Sequence, residues 1–509
     1  MNAFGINTIY EPSRVIGMRT AASATTCAAA RAPMFNAFGA RATPGRFHMV
    51  NSLAEFKSKF GWSEDFLTYE LCGLAHIFFN VIGARPLIVH SALDAENDAH
   101  ARDLAGKFEL RQRFGRAKAT TITEQIGGAD VPVTGVDRDA VQVFLTNPEG
   151  EPVGAALVRG RDYALGQNDA GECFIRPVMG GAVFPLNPAP TDPEAVTVHI
   201  AYRAANPDGV TALDVVTALS HTRMIYPVIR EVPRLLLAPG WSRSAGVSDA
   251  LVAYSTKINS VFDANSIVDI DSRADGARDV ESAMDFKDRN GQTDPTQKPC
   301  WPCLRLDETH VVHYSSVIAG LINGMEANSG APSRTESNET LPGMGMCLED
   351  GTPVALDMDE ANRLRGYGIT TGFFWNGANV VWGAYSGAVP STTQPEDSFW
   401  NVNRFLRWYA AHLVLTYFQV VDQNISRRLV DMILGEENDY LAWMAARNWC
   451  PIGSIEFPAD LNNDAELASG HLWFRTKPSA YLPAQQINFL IELDLQPMFD
   501  ELRGGSANA

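Results

Sequence analysis

The sequence predicts an α/β core carrying an inserted β-sandwich or barrel module, an α+β C-terminal domain, and extended arms at both chain ends. Three observations predict this. Between 209 and 271, helix-period stretches alternate with the short apolar runs RLLLAPG and SIVDID, the pattern of strand–helix–strand units in a parallel sheet. Between 110 and 204, period-two alternation recurs between breaks rich in Pro and Gly. After 367, two long helical stretches follow the strand-like GANVVWGAYS, and QINFLIELDL alternates again beside the C-terminus.

Taken in order, residues 1–24 have mixed polarity, with a short strand-like piece around Arg14 and Ile16, and read as an arm. Ser52 and Glu55 have the spacing of a capping box ahead of Leu53, Phe56 and Phe60 at helical spacing. A second helix is expected over 64–82 and a buried strand over 85–92, completing the first part of the core, 25–109. The inserted module, 110–204, contains AVQVFLTNPEGEPVGAALVRG, two strands around an Asn-Pro-Glu-Gly turn. The second part of the core, 205–366, has a helix over 211–219, strands at 234–240 and 266–271, and an amphipathic helix over 248–262. Residues 272–310 and 328–340 read as loops. The C-terminal domain, 367–486, has helices over about 399–421 and 425–448. In the last segment, 487–509, Ile487, Phe489, Ile491, Leu493 and Leu495 share one face of a strand, and Asn488, Glu492 and Asp494 the other.

Composition narrows the function. The chain has 509 residues, 46% hydrophobic and 20% charged, which is ordinary for a folded protein. A formal charge of −18 argues against a nucleic-acid backbone binder and suits protein partners. No basic start followed by an apolar core suggests a secretory signal, and no apolar run reaches the length of a membrane span, so synthesis in the cytoplasm is expected. Seven cysteines are scattered at 27, 72, 173, 300, 303, 347 and 450, an odd count that suggests reduced thiols rather than a disulfide scaffold.

Four motifs invite a chemical reading. In GVSDA, Ser248 stands in a partial nucleophile elbow that lacks its last glycine, and it equally suits a helix N-cap. In KPCWPC, Cys300 and Cys303 form a CxxC with no second pair, and read as thiols of a surface loop. In ETHVVHY, a β-branched setting puts His310 and His313 on opposite faces of a strand. GMGMCLEDG lacks the third glycine and the preceding strand of a dinucleotide fingerprint. No Walker loop, HExxH or calcium loop occurs. The expectation is a protein without catalytic, cofactor or metal residues; a hydrolase using Ser248 is the enzymatic alternative.

Five segments, in order, resemble the tail sheath family of contractile phages, R-type bacteriocins and related injection machines. They are VNSLAEFKSKFG, the run from RLLLAPG to IVDID, SSVIAGLINGMEANSG, the stretch ending in Val381-Trp382-Gly383, and FWNVNRFLRWYAAHLV with Trp400, Val402, Asn403 and Arg404 aligned. Phe405 departs from the family's second arginine, and the N-terminal arm lacks the usual Pro-Gly-Val-Tyr start.

The resemblance implies a core of subtilisin-like topology without catalysis, and a sixfold helical or stacked-ring homo-oligomer in a virion tail. Its partners would be copies of itself, a tail tube protein, and baseplate and tail terminator proteins, without direct nucleic-acid or membrane contact. Terminal strands would join neighbours' sheets, here through Arg14, Ile16, Ile487, Phe489, Ile491, Leu493 and Leu495. Arg427 and Arg428, a basic pair in an acidic protein, are candidates for the tube-facing surface. Cys27, Cys300 and Cys303, expected in arm or loop segments, are candidates for disulfides between subunits once the particle meets an oxidising exterior. A non-contractile baseplate or capsid protein is the structural alternative.

Overall fold

The computed structural model describes residues 18, 22–39, 41–189, 194–332 and 334–503. Its central sheet has six strands, β1 (Thr26–Ala30), β2 (His48–Val50), β3 (Leu87–Ser91), β4 (Leu235–Leu237), β5 (Asn265–Asp269) and β6 (Gln297–Cys300), in the order β2-β3-β1-β4-β5-β6. All neighbours are parallel except the edge strand β2, which runs antiparallel to β3. Every residue of β1, β3, β4, β5 and β6 is buried. A parallel sheet is covered on both faces, so its strands read as continuous apolar runs rather than alternating ones. Helices Ala212–Ser220, Ala245–Ser255 and Tyr314–Ser329 (α2) supply the cover through Val215, Leu219, Leu251, Val317 and Ile318.

The first helix, α1 (Leu53–Phe60), starts at the expected cap: Ser52 Oγ accepts from Glu55 N at 3.2 Å. The Glu55 carboxylate reaches one residue further back than a capping box requires and accepts from Asn51 N at 2.9 Å. Two expectations are corrected. The helix expected over 64–82 begins at Glu70, runs as α-helix to His76 and widens to a π-helix over Ile77–Ile82, which Gly83 closes in the left-handed conformation. The stretch 272–310, expected to be loop, contains helix Val280–Arg289, β6 and strand Cys303–Arg305. That helix is capped reciprocally by Asp279 and Ser282 and buries Val280, Ala283 and Lys287. Its apolar face is narrow and one member is a lysine, which hid the periodicity.

The inserted module has a five-stranded, a three-stranded and a two-stranded antiparallel sheet among its described residues, and its own core of Phe108, Leu110, Val143, Tyr163, Ile175 and Val198. Its longest strands, Ala101–Arg113 and Ala195–Ala205, pair continuously from Ala101↔Ala205 to Arg111↔Ala195. Beyond the core, α3 (Trp400–Tyr417) and α4 (Arg427–Ala446) enclose a separate cluster of Phe405, Trp408, Tyr409, Tyr440, Leu441 and Met444. A buried ion pair ties this part to the rest, Arg404 to Glu326 of α2 at 2.6 Å, and a second buried pair, Lys298 of β6 to Glu336 at 2.5 Å, lies within the core.

At the end of β3, His90 stacks on His221 with ring centroids 5.2 Å apart and donates or accepts at 3.1 Å between the two rings. Burial holds its pKa down to about 4 from an ordinary 6.5, and the nearby His221 adds to the shift. Between those pH values the unfolded chain takes up a proton that the folded chain refuses, so stability falls as pH drops through this window. Denaturation measured from pH 7 to 4 should show a loss on the order of 3 kcal/mol from this site, and His90→Gln should flatten that part of the profile.

Candidate assembly interface

The catalytic motifs do not assemble. Ser248 lies inside helix Ala245–Ser255, whose N-cap residue is Ser244, so the reading of Ser248 as a cap is also corrected. Its hydroxyl is fully buried and accepts from Gln297 Nε2 at 2.9 Å. An amide holds it where a nucleophile needs a base. His310 is tied to Asp307 at 2.7 Å near the surface, whereas His313 follows the strand Val311–Val312 as a buried residue at the start of α2.

The cysteine expectation is overturned. Cys27 is the second residue of β1, Cys300 the last of β6, and Cys303 the first of strand Cys303–Arg305; all three are buried, as are the other four. Burial pushes the thiols of Cys27, Cys300 and Cys303 well above their ordinary range. A sulfur inside a covered sheet can neither ionise readily nor reach another chain. The prolines of KPCWPC suggest loop punctuation, but in the fold they flank the junction of two short buried strands.

The described residues leading to the two ends of the chain meet at one cluster. Met18 and Ala480 both pack against the α3–α4 cluster. The N-terminal exit is clamped there, since Arg404 Nη2 donates to the Ser23 carbonyl at 3.2 Å and Asn323 Nδ2 to the Ala24 carbonyl at 2.9 Å. Arg14 and Ile16 lie outside the described residues. On the C-terminal side, strands Ser454–Glu456 and Arg475–Lys477 form a two-stranded antiparallel sheet. Residues 481–487 then border a groove of about 740 Å³ with Arg334, Trp375, Trp382 and Asn401, and Gln485 Oε1 accepts from Arg365 at 2.8 Å.

Past that contact the chain leaves the body. Ile487, Phe489, Ile491 and Leu493 are 71%, 84%, 91% and 84% exposed, and so is Leu490 on the other side. Among the described residues no ladder pairs 487–495, although its alternation is that of a strand. Water solvates the backbone here, but so many large apolar side chains in one exposed run mark a surface that another molecule covers.

No family model matches the chain. Over 387 residues it is 23% identical to the tail sheath protein of Burkholderia phage BcepMu, covering 72% of this chain and 76% of that protein. The contracted sheath complex of PVC, an extracellular contractile injection system, superposes with a TM-score of 0.56 at 10% identity, over 98% of this chain and 100% of that one. The chain is thus similar in sequence to a phage tail sheath protein and shares its fold with the sheaths of contractile injection systems. The contracted helical sheath of the anti-feeding prophage matches with a TM-score of 0.54 at 12% identity, over 97% of this chain and 100% of its own. These likenesses are all to sheath proteins.

The sheath motifs gather at one junction. Lys298 Nζ donates to the Gly383 carbonyl at 3.1 Å, pairs with Glu336 and stands 5.0 Å over the Trp400 ring, while Arg404 stands 5.1 Å over the same ring and pairs with Glu326. Arg427 and Arg428 occupy the exposed first turn of α4, where Arg427 pairs with Asp431 at 2.8 Å. Among the described residues no helix is long and apolar enough to cross a membrane.

Two outcomes follow from this placement. In the folded chain a thiol reagent should react with none of the seven cysteines on the time scale of minutes, and with all seven after denaturation. Ser248→Ala should cost about 1 kcal/mol, through the acceptor lost to Gln297, and the native chain should remain unlabelled by a fluorophosphonate.

Proposed function

We propose that the subunit polymerises around an inner tail tube by exchanging terminal strands with its copies, and that contraction from a metastable extended state drives the tube through a host envelope. The observation that carries this is the exposed alternating segment 487–495, which leaves the body from the same α3–α4 cluster as the N-terminal arm. The short sheet Ser454–Glu456/Arg475–Lys477 has two outer edges to which strands of neighbouring copies would add. Main-chain hydrogen bonds give such a joint its affinity, and the alternating side chains fix its register, because a slip of one residue would turn the apolar face outward.

Joints made by arms let the folded bodies rotate as rigid units while the polymer stays connected. The energy of contraction is then stored as contacts between bodies that form only in the short state, with no nucleotide required. The captured states of the relatives, a contracted helical sheath and a sixfold-symmetrised baseplate, support a helical or stacked-ring assembly with contacts to baseplate proteins. The strand order of the central sheet supports a subtilisin-like frame carrying no catalytic set.

Arg427 and Arg428 are proposed to face the tube. Cations in the first turn of a helix oppose its dipole, and although Asp431 pairs with Arg427 from the next turn, no acidic residue stands in the first turn itself.

Electron microscopy of the purified chain tests the joint. The unaltered chain should form tubular polymers, and Ile491→Asp or truncation after Gln486 should abolish them. Because the altered side chains are exposed, stability of the single chain should change by no more than about 0.5 kcal/mol. Tubes of normal length from both variants would dismiss strand exchange at this end.

A further inference from the structure

Three donor side chains of different chemistry converge beside the carboxyl ends of β4, β5 and β6. Cys303, His313 and Glu349 each place one donor atom within 4.8 Å of the other two. A small sheet gathers them. Strand Cys303–Arg305 lies between Val311–Val312 and Gly345–Cys347, with Leu304 opposite Val312 and Cys303 opposite Cys347. Continuing the first ladder by one residue puts His313 opposite Cys303, and directly opposed residues of antiparallel strands share a face. Glu349 follows two residues after Cys347, in the turn closed by the hydrogen bond from Gly351 N to the Leu348 carbonyl.

We propose that Cys303, His313 and Glu349 form a binding site for one divalent transition-metal ion of borderline softness, such as zinc. Cys303 Sγ lies 3.9 Å from His313 Nδ1, too far for a strong hydrogen bond. A zinc ion about 2.3 Å from sulfur and about 2.0 Å from nitrogen, in tetrahedral geometry, would set these atoms roughly 3.6 Å apart, so little movement is needed. Cys303 and His313 are each 4% exposed, and Glu349 is partly buried, so two of the three donors are held in a dry site by the fold. The imidazole is seated by Gly240, where a Cβ would stand 2.5 Å from Nε2, and that nitrogen has no hydrogen-bond partner. With Nδ1 as ligand the ring keeps its proton on Nε2.

The surrounding charges fit a dication. The Asp269 carboxylate is satisfied by Ser315 N, Ser315 Oγ and Gly240 N and is not among the ligands. Arg243 is the opposing charge; it donates to one oxygen of Glu349 at 2.6 Å and lies 4.0 Å from Asp271, leaving the other Glu349 oxygen outside that pair. Ser272 Oγ, 3.5 Å from Cys303 Sγ, or a water would complete four ligands. Without metal the thiol stays protonated, because burial foremost, and the Glu349 charge next, push its pKa far up. Metal binding therefore releases one proton as the sulfur–metal bond forms, and no electrons move. The ion would pin the central strand of this small sheet to the start of α2 and to the 348–351 turn. The sequence alone did not suggest it, since the CxxC partner Cys300 plays no part and the other two ligands come from separate turns.

The test uses the unpolymerised full chain, stripped with chelator and then given zinc or cobalt(II) chloride. One metal per chain by mass spectrometry, and an intense near-ultraviolet thiolate-to-cobalt charge-transfer band that Cys303→Ser abolishes, are the expected results. Glu349→Gln, a change at a partly exposed position, should weaken zinc binding at least tenfold with an unchanged circular dichroism spectrum. A folded unaltered chain that binds no metal and develops no band, or a band that survives Cys303→Ser, would overturn the proposal. Neither readout depends on polymerisation.

Discussion

A parallel sheet buried on both faces can be completed only by segments brought in from distant parts of the chain, and here the first strand sits at its middle. β1 takes its neighbours from β3 and β4, roughly 60 and 210 residues later. Its sequence, Thr-Cys-Ala-Ala-Ala, is small enough to let covering elements approach closely. Placing the start of the chain at the centre fixes where the N-terminal arm leaves. It exits beside α2 and α3, where Arg404 and Asn323 hold the carbonyls of Ser23 and Ala24. The inserted module, by contrast, is grafted through two long paired strands and keeps a core of its own.

Two buried ion pairs lie at the junction of core and C-terminal domain: Arg404–Glu326 spans it, and Lys298, paired with Glu336, crosses it by donating to the Gly383 carbonyl. Desolvating Lys298, Glu336, Arg404 and Glu326 costs free energy that their mutual attraction offsets only in good geometry. An apolar interface of equal volume could be as stable. What the charges add is a single permitted register, because sliding α3 along α2 would strand a buried charge. Trp400 lies under both cations, so one ring organises the two pairs.

The chain ends follow the opposite logic. The body buries its thiols and most of its large apolar residues, whereas 487–495 presents five of them on one face and Leu490 on the other. A strand without a sheet is a poorly defined object in a single chain, since its hydrogen bonds must come from outside. Two chain ends anchored on one cluster place both potential joints beside the same domain, which suits a polymer linked through that domain.

Local patterns were enough for the elements whose periodicity faces one way. Ser52 and Glu55 announced α1, IVD announced β5, and the stripes of Trp400–Tyr417 and Arg427–Ala446 announced the long helices. The alternation of 487–495 was equally visible, and the ordered motifs pointed to the family. The failures share one cause. Ser248, Cys27, Cys300 and Cys303 were read from their immediate neighbours, but their environment is set by residues far along the chain, Gln297 for the serine and the covering helices for the thiols. The same holds for Cys303, His313 and Glu349, which no spacing rule joins and which only the pairing of three short strands brings together. Sequence carries the period of each segment because backbone geometry is local; which side chains then meet depends on sheet order and register, and those are properties of the whole fold.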